Sequence, residues 1–206
     1  MTNKNAPDFG LTPQELRFLR RLNTPAKIQK FLDELPYHHA DTAFSPRRVL
    51  RENTAHCLEG AVFAAAALRV NSYSPLVFDL EAVNDTDHVL ALYRVNGGWG
   101  AVAKSNFAGL RFRSPVYRTP RELAMSYFDC YYNLRGERTL RGYSRILNLA
   151  RFDRLQWMTT EKPVWFVAET LLDIRHYKLV SRSVASSLPR LDMRSFHAGL
   201  TGYSKH

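Results

Sequence analysis

Cys57 and His88 are a thiol and an imidazole that follow one another in the order nucleophile, then base. Such a pair attacks a carbonyl carbon when the thiol is ionised and the imidazole takes and then returns its proton. Cys57 falls in the first turn or so of a helical stretch, where unpaired backbone N–H groups and the helix dipole favour a thiolate. His88 heads a strand-like run that would lie against that helix. The group that orients the imidazole can be placed by counting around a hairpin. If the turn centres on Gly97, His88 falls opposite Asn106, and a one-residue change of register substitutes Ser105 or Phe107. Asn106 can accept a hydrogen bond from the imidazole, as the third member of a Cys-His-Asn arrangement does, and Ser105 can do so more weakly. The backbone N–H of Cys57 at the helix start is the first candidate donor to an oxyanion. For the second donor Gln29, Tyr37 and Asn53 stay open.

The elements that must position these groups read as α+β. Thr12-Pro13, Thr24-Pro25 and Ser45-Pro46 each pair a capping hydroxyl with a proline at the first helical position, predicting short helices over 14–19, 26–32 and 47–50. The alanine-rich stretch 54–68 is apolar nearly all round, so it predicts a central, buried helix. Residues 76–80, 87–95 and 99–103 are branched, aromatic and alternating, and Asn96-Gly97-Gly98 between the last two is a strong hairpin signal. An antiparallel sheet should therefore follow the central helix. Thr119-Pro120 opens a further helix over 121–132. Trp157, Trp165, Phe166, Leu171 and Leu172 imply one more packed helix, and 181–206 is polar enough to be a loose arm. The expected organisation is one domain: an N-terminal helical part at 1–52, a catalytic-like core at 53–118 and a C-terminal helical extension at 119–206.

Three segments together resemble the core of the transglutaminase-like superfamily, in a bacterial branch. They are Thr54-Ala55-His56-Cys57-Leu58-Glu59-Gly60-Ala61, Asp87-His88-Val89-Leu90-Ala91-Leu92, and Gly98-Trp99-Gly100-Ala101-Val102-Ala103-Lys104-Ser105-Asn106-Phe107. The resemblance covers about residues 50–110. It implies a papain-like fold, with a Cys-bearing central helix packed on an antiparallel sheet and additional helices at both ends. It also implies acyl transfer from a peptide or protein amide through a Cys57 thioester, ending in hydrolysis or in transamidation. The sequence departs from the family at the third residue: where many members carry Asp soon after the Trp-containing strand begins, it has Val102-Ala103-Lys104, and Asn106 is the nearby substitute.

The remaining signals narrow the classes. Two cysteines and no positive cluster followed by an apolar stretch at the N-terminus predict reduced thiols in a cytoplasm. The longest apolar run, 61–68, is far short of the roughly 18 residues a membrane span needs, so no membrane association is expected. A formal net charge of +10 suits an acidic partner, but the arginines are dispersed and no nucleic-acid motif accompanies them, so nucleic acid is not expected. His38-His39 and His56-Cys57 lack metal-ligand spacing, so neither a metal nor another cofactor is expected. Cys130, among aromatic residues, reads as packing. Lys104 reads either as a substrate-binding cation or as a chain that snorkels to the surface. Asp85 and Asp87 read as loop acids and His176 as structural, although a C-terminal segment could fold over the cleft. The alternative to an enzyme is an inactive module that keeps the fold and binds an acidic partner or nucleic acid through its basic surface.

Overall fold

The computed structural model describes residues 7–204. Its first three helices, α1 (Pro13–Arg21), α2 (Pro25–Glu34) and α3 (Pro46–Glu52), start where the hydroxyl-proline pairs predict. Thr12, Thr24 and Ser45 accept the N–H groups of Glu15, Lys27 and Arg48, and Glu15 completes a capping box at Thr12. Asn53 ends α3 in the left-handed region at φ 53°.

The central helix α4 (Cys57–Val70) is buried continuously from Leu58 to Leu68. It begins later than the expected residue 54 because the chain just before it is used as a strand. Ala55 bridges Tyr37 in parallel, donates to the Pro36 carbonyl and accepts from His38 N–H. That bridge fixes Tyr37 and His38 beside the helix start.

Beyond α4 come β1 (Leu76–Ala82), β2 (His88–Val95), β3 (Gly98–Val102) and β4 (Arg113–Tyr117), then α5 (Pro120–Met125), capped by Thr119. The helix expected over 121–132 stops at Met125 and gives way to a 3-10 turn at Phe128–Cys130. The remainder holds β5 (Leu140–Ser144), β6 (Leu147–Asn148), α6 (Trp165–Asp173), β7 (His176–Lys178), α7 (Arg182–Ser187) and α8 (Met193–Gly199). The stretch 119–206 is therefore not a helical extension. It supplies three strands to an antiparallel sheet ordered β4-β3-β2-β1-β5-β7, with β6 also on β1. Among the described residues no helix is long and apolar enough to cross a membrane.

The sheet separates two apolar cores by the period of two that strands impose. Val77, Val89, Ala91 and Tyr93 pack with α4. Phe78, Leu80, Leu90 and Leu92 pack on the other side with Leu123, Tyr127 and Tyr131. The β2–β3 hairpin turns at Asn96-Gly97, both at positive φ, with Val95 paired to Gly98. That register is half a step from a turn centred on Gly97, and its last pair is Ala91 with Val102. Past that point β3 leaves β2. Gln29 takes both the N–H and the carbonyl of Ala103, and Lys104 Nζ donates to the Leu32 and Leu35 carbonyls at the end of α2. The gap so opened is where the candidate site lies.

Candidate active site

Cys57 is the first residue of α4, and its Sγ lies 4.0 Å from the Asp87 carbonyl oxygen. The backbone N–H groups of Val89, Leu58 and Cys57 itself favour the ionised sulfur. His88 arrives from the other side of the sheet. It has the parity of Leu90 and Leu92, and its ring meets the edge of Tyr131 with centroids 6.4 Å apart. The thiol and the imidazole share one cleft of about 510 Å³, which opens where β2 runs on past the end of β3.

The imidazole is oriented, but not by an asparagine. His88 Nε2 donates to the Leu110 carbonyl at 2.8 Å, from the 3-10 turn Ala108–Leu110. Since a carbonyl only accepts, Nε2 carries the proton and Nδ1 is left with the free lone pair. Asn106, the expected orienter, lines the cleft but spends its amide on the main chain of Ser204. Ser105, the fallback, falls opposite His88 if the observed register is extended, but the ladder has ended by then and its hydroxyl accepts from Phe107 N–H. The expectation for the third member is thus corrected from a side chain to a backbone carbonyl.

Of the three candidates for a second oxyanion donor, the fold separates one from the others. Gln29 is buried in the α2–β3 joint, and Asn53 is an exposed helix cap. Tyr37 lines the cleft beside Cys57, and its phenol is pushed above the ordinary range chiefly by burial, with the Cys57 backbone N–H acting in the opposite sense. Lys104 is neither a substrate cation nor a surface chain. It is 5% exposed, and burial lowers its ammonium to about 8. Asp87 Oδ1 accepts from Ala82 N–H and Asp85 Oδ2 from the Thr139 hydroxyl, so both acids secure the loop before β2.

No family model matches the chain, and no curated protein matches it.

Electrostatically the pair rests uncharged. Burial pushes the Cys57 thiol up to about 11, against the pull of the nearby N–H groups, while the buried Asp79 carboxylate adds to the rise. Burial also pushes His88 down to about 4. The Leu110 carbonyl opposes that shift and the Arg113 guanidinium reinforces it. The helix-terminus argument for a thiolate is outweighed by desolvation, which disfavours whichever form is charged. Tyr131, raised well above its ordinary value by burial, donates to the Thr86 carbonyl at 2.7 Å and forms part of the cleft wall.

One group at the site was missed by sequence reasoning. Glu59, two residues beyond Cys57 and fully buried, accepts from Thr42 Oγ1 at 2.6 Å, Phe44 N–H at 2.9 Å and His56 N–H at 3.1 Å, with His38 Nδ1 at 3.2 Å. Burial alone would raise this carboxyl, but the His56 ring and the three donors outweigh it and hold it below the usual range. Glu three residues into the helix is half of a capping box; with histidine rather than a hydroxyl at the cap, the signal is easily passed over. Among the described residues no group of three His, Cys, Asp or Glu side chains is arranged to hold a metal ion. The His38-Glu59-His56 group therefore reads as a clasp on the helix start.

Proposed function

We propose that the chain is a cysteine acyl-transfer enzyme of transglutaminase-like, papain-like type, acting on a peptide or protein amide. Cys57 is the nucleophile and His88 Nδ1 the base. The thiol proton passes to Nδ1 as sulfur attacks the amide carbon. The tetrahedral oxyanion is met by the Cys57 N–H and the Tyr37 hydroxyl. The imidazolium then returns its proton to the departing amine, leaving a thioester that water or an amine opens with His88 again as base.

The observation that carries this reading is the tautomer. Bonding Nε2–H to a fixed carbonyl frees Nδ1 as a base in a cleft that Cys57 shares. The order of a cysteine at a helix start before a histidine at a strand start also agrees with the resemblance.

A second reading, an inactive module binding an acidic partner through its basic surface, is favoured by one observation: a thiol near 11 beside an imidazole near 4 is not an activated pair in the free protein. Iodoacetamide alkylation of Cys57 across pH 5–10, in a Cys130→Ser background, separates the two when run with and without a bound peptide amide. The enzyme reading expects slow alkylation in the free protein, rising with pH far past neutrality. A peptide amide should then yield an acyl adduct on Cys57 by intact mass, and the adduct should vanish in His88→Ala. No adduct with any peptide or glutamine amide, together with alkylation indifferent to His88, leaves the binding module.

A further inference from the structure

Asn106 makes a two-point contact that side-chain amides seldom spend on a distant loop. Its Nδ2 donates to the Ser204 carbonyl at 2.8 Å, and its Oδ1 accepts from the Ser204 N–H at 2.8 Å. Both groups of one residue's main chain are taken at once, the pattern a neighbouring strand would make, and it reads backbone rather than sequence. The residue before it, Tyr203, is half-buried in the cleft that holds Cys57 and His88, and its ring meets the edge of Phe107 at 5.3 Å. Phe107 in turn packs edge-on to Tyr132 at 5.5 Å. The Tyr203 phenol also lies close enough to Tyr37, which lines the same cleft, for their charges to interact.

The segment is delivered there by α8. Tyr132 Oη donates to the Phe196 carbonyl at 3.0 Å, and Gly199 passes so close that a Cβ would stand 1.8 Å from that oxygen. Gly202, at φ +78°, then turns the chain so that Tyr203 enters the cleft.

We propose that the cleft is a peptide-binding groove in which Asn106 clamps the main chain of an extended peptide and Phe107 with Tyr132 receives an aromatic side chain on the residue before it, and that residues 202–204 of this chain occupy the groove as an internal ligand. Naming the bound peptide as a substrate rests on the acyl-transfer reading; the clamp and its occupant do not. The position of Asn106, one residue off the register that would have faced His88, is what frees it for this use.

The test uses the full chain with Cys130→Ser and reads protection of Cys57 against N-ethylmaleimide, with thermal melts to confirm folding. Tyr203→Ala empties the aromatic place, Asn106→Ala removes the clamp, and Ser204→Pro removes one clamp hydrogen bond without touching the groove wall. Each should speed labelling, the first two by about tenfold, the equivalent of ~1.4 kcal/mol of lost contact. Acetyl-Thr-Gly-Tyr-Ser-amide added to Tyr203→Ala should restore protection with saturation, and so should acetyl-Thr-Gly-Phe-Ala-amide, because backbone and ring are what is read. Neither should protect Asn106→Ala. Unchanged labelling in all three folded variants overturns the proposal, as does peptide protection that survives Asn106→Ala. Slower labelling in Asn106→Ala also overturns it, assigning that amide to His88 after all. Protection requires no turnover, so an inactive protein with a working clamp would sink only the acyl-transfer reading.

Discussion

Two sites at the start of α4, the Glu59 carboxylate and the Cys57–His88 pair, are treated in opposite ways. Glu59 is fully buried and surrounded by donors. His88, 5% exposed, has one hydrogen bond, to the Leu110 carbonyl, and Cys57 only a long thiol contact to a carbonyl. Burial acts on all three. At Glu59 the donors and the His56 ring win and the carboxyl stays ionised; at Cys57 and His88 desolvation wins and both rest neutral. The difference teaches which group holds the fold and which is held by it. A satisfied buried charge is expensive to disturb, while in the acyl-transfer reading proposed above the sparsely bonded neutral pair is the one that exchanges a proton when a substrate changes its surroundings.

The sharpest way to break this contrast is to remove the clasp. Glu59→Ala leaves the Thr42 hydroxyl and the Phe44 and His56 N–H groups without their acceptor, and should cost about 3–5 kcal/mol in urea unfolding. Cys57→Ala, two positions earlier in the sequence, should cost less than ~1 kcal/mol, since it removes a sulfur with one weak contact. Equal losses at the two positions would erase the distinction between them.

Titration gives a smaller effect with a defined sign. His88 has a folded value near 4 against an ordinary value near 6.5, so above pH 6.5 neither state binds the proton and its contribution is fully present. Between pH 6.5 and 4 the unfolded chain is protonated first, and stability falls by about 3 kcal/mol at the limit. Glu59, held low, begins to be lost only below its ordinary value near 4.5, and the raised Asp79 works in the opposite sense as it protonates. The decisive quantity is therefore the difference between wild type and His88→Gln in urea melts. That difference should shrink from pH 7 to pH 4.5, and a difference constant with pH would mean the imidazole is not buried neutral.

The same contrast explains what the sequence made legible. Helix starts were readable because caps are local: Thr12, Thr24, Ser45 and Thr119 each act on a residue three positions away. The β2–β3 hairpin was readable because the turn at Asn96-Gly97 is also local chemistry. The third member was not. Whether His88 meets Asn106, Ser105 or the Leu110 carbonyl depends on where β3 leaves β2, and that is set by Gln29 of α2 reaching Ala103 and by Lys104 reaching the Leu32 carbonyl of α2, each across more than seventy residues. Strands β5 and β7 were hidden for a related reason: Leu140–Ser144 and His176–Lys178 are short and basic, and they belong to the sheet only through partners far along the chain.

The smallest effect sharpens the comparison on the reactive side. Tyr37 is held at the cleft by its bridge to Ala55, and in the acyl-transfer reading proposed above its hydroxyl is the second oxyanion donor. Tyr37→Phe keeps the ring and loses only that oxygen. Acylation of Cys57 by a p-nitrophenyl ester builds charge on the carbonyl oxygen and should slow by about tenfold. Alkylation by iodoacetamide builds no oxyanion and should keep its rate. If both reactions slow together, Tyr37 acts on the sulfur rather than on the substrate oxygen. If neither changes, the phenol is a wall of the cleft, and the Cys57 N–H must find its partner donor elsewhere.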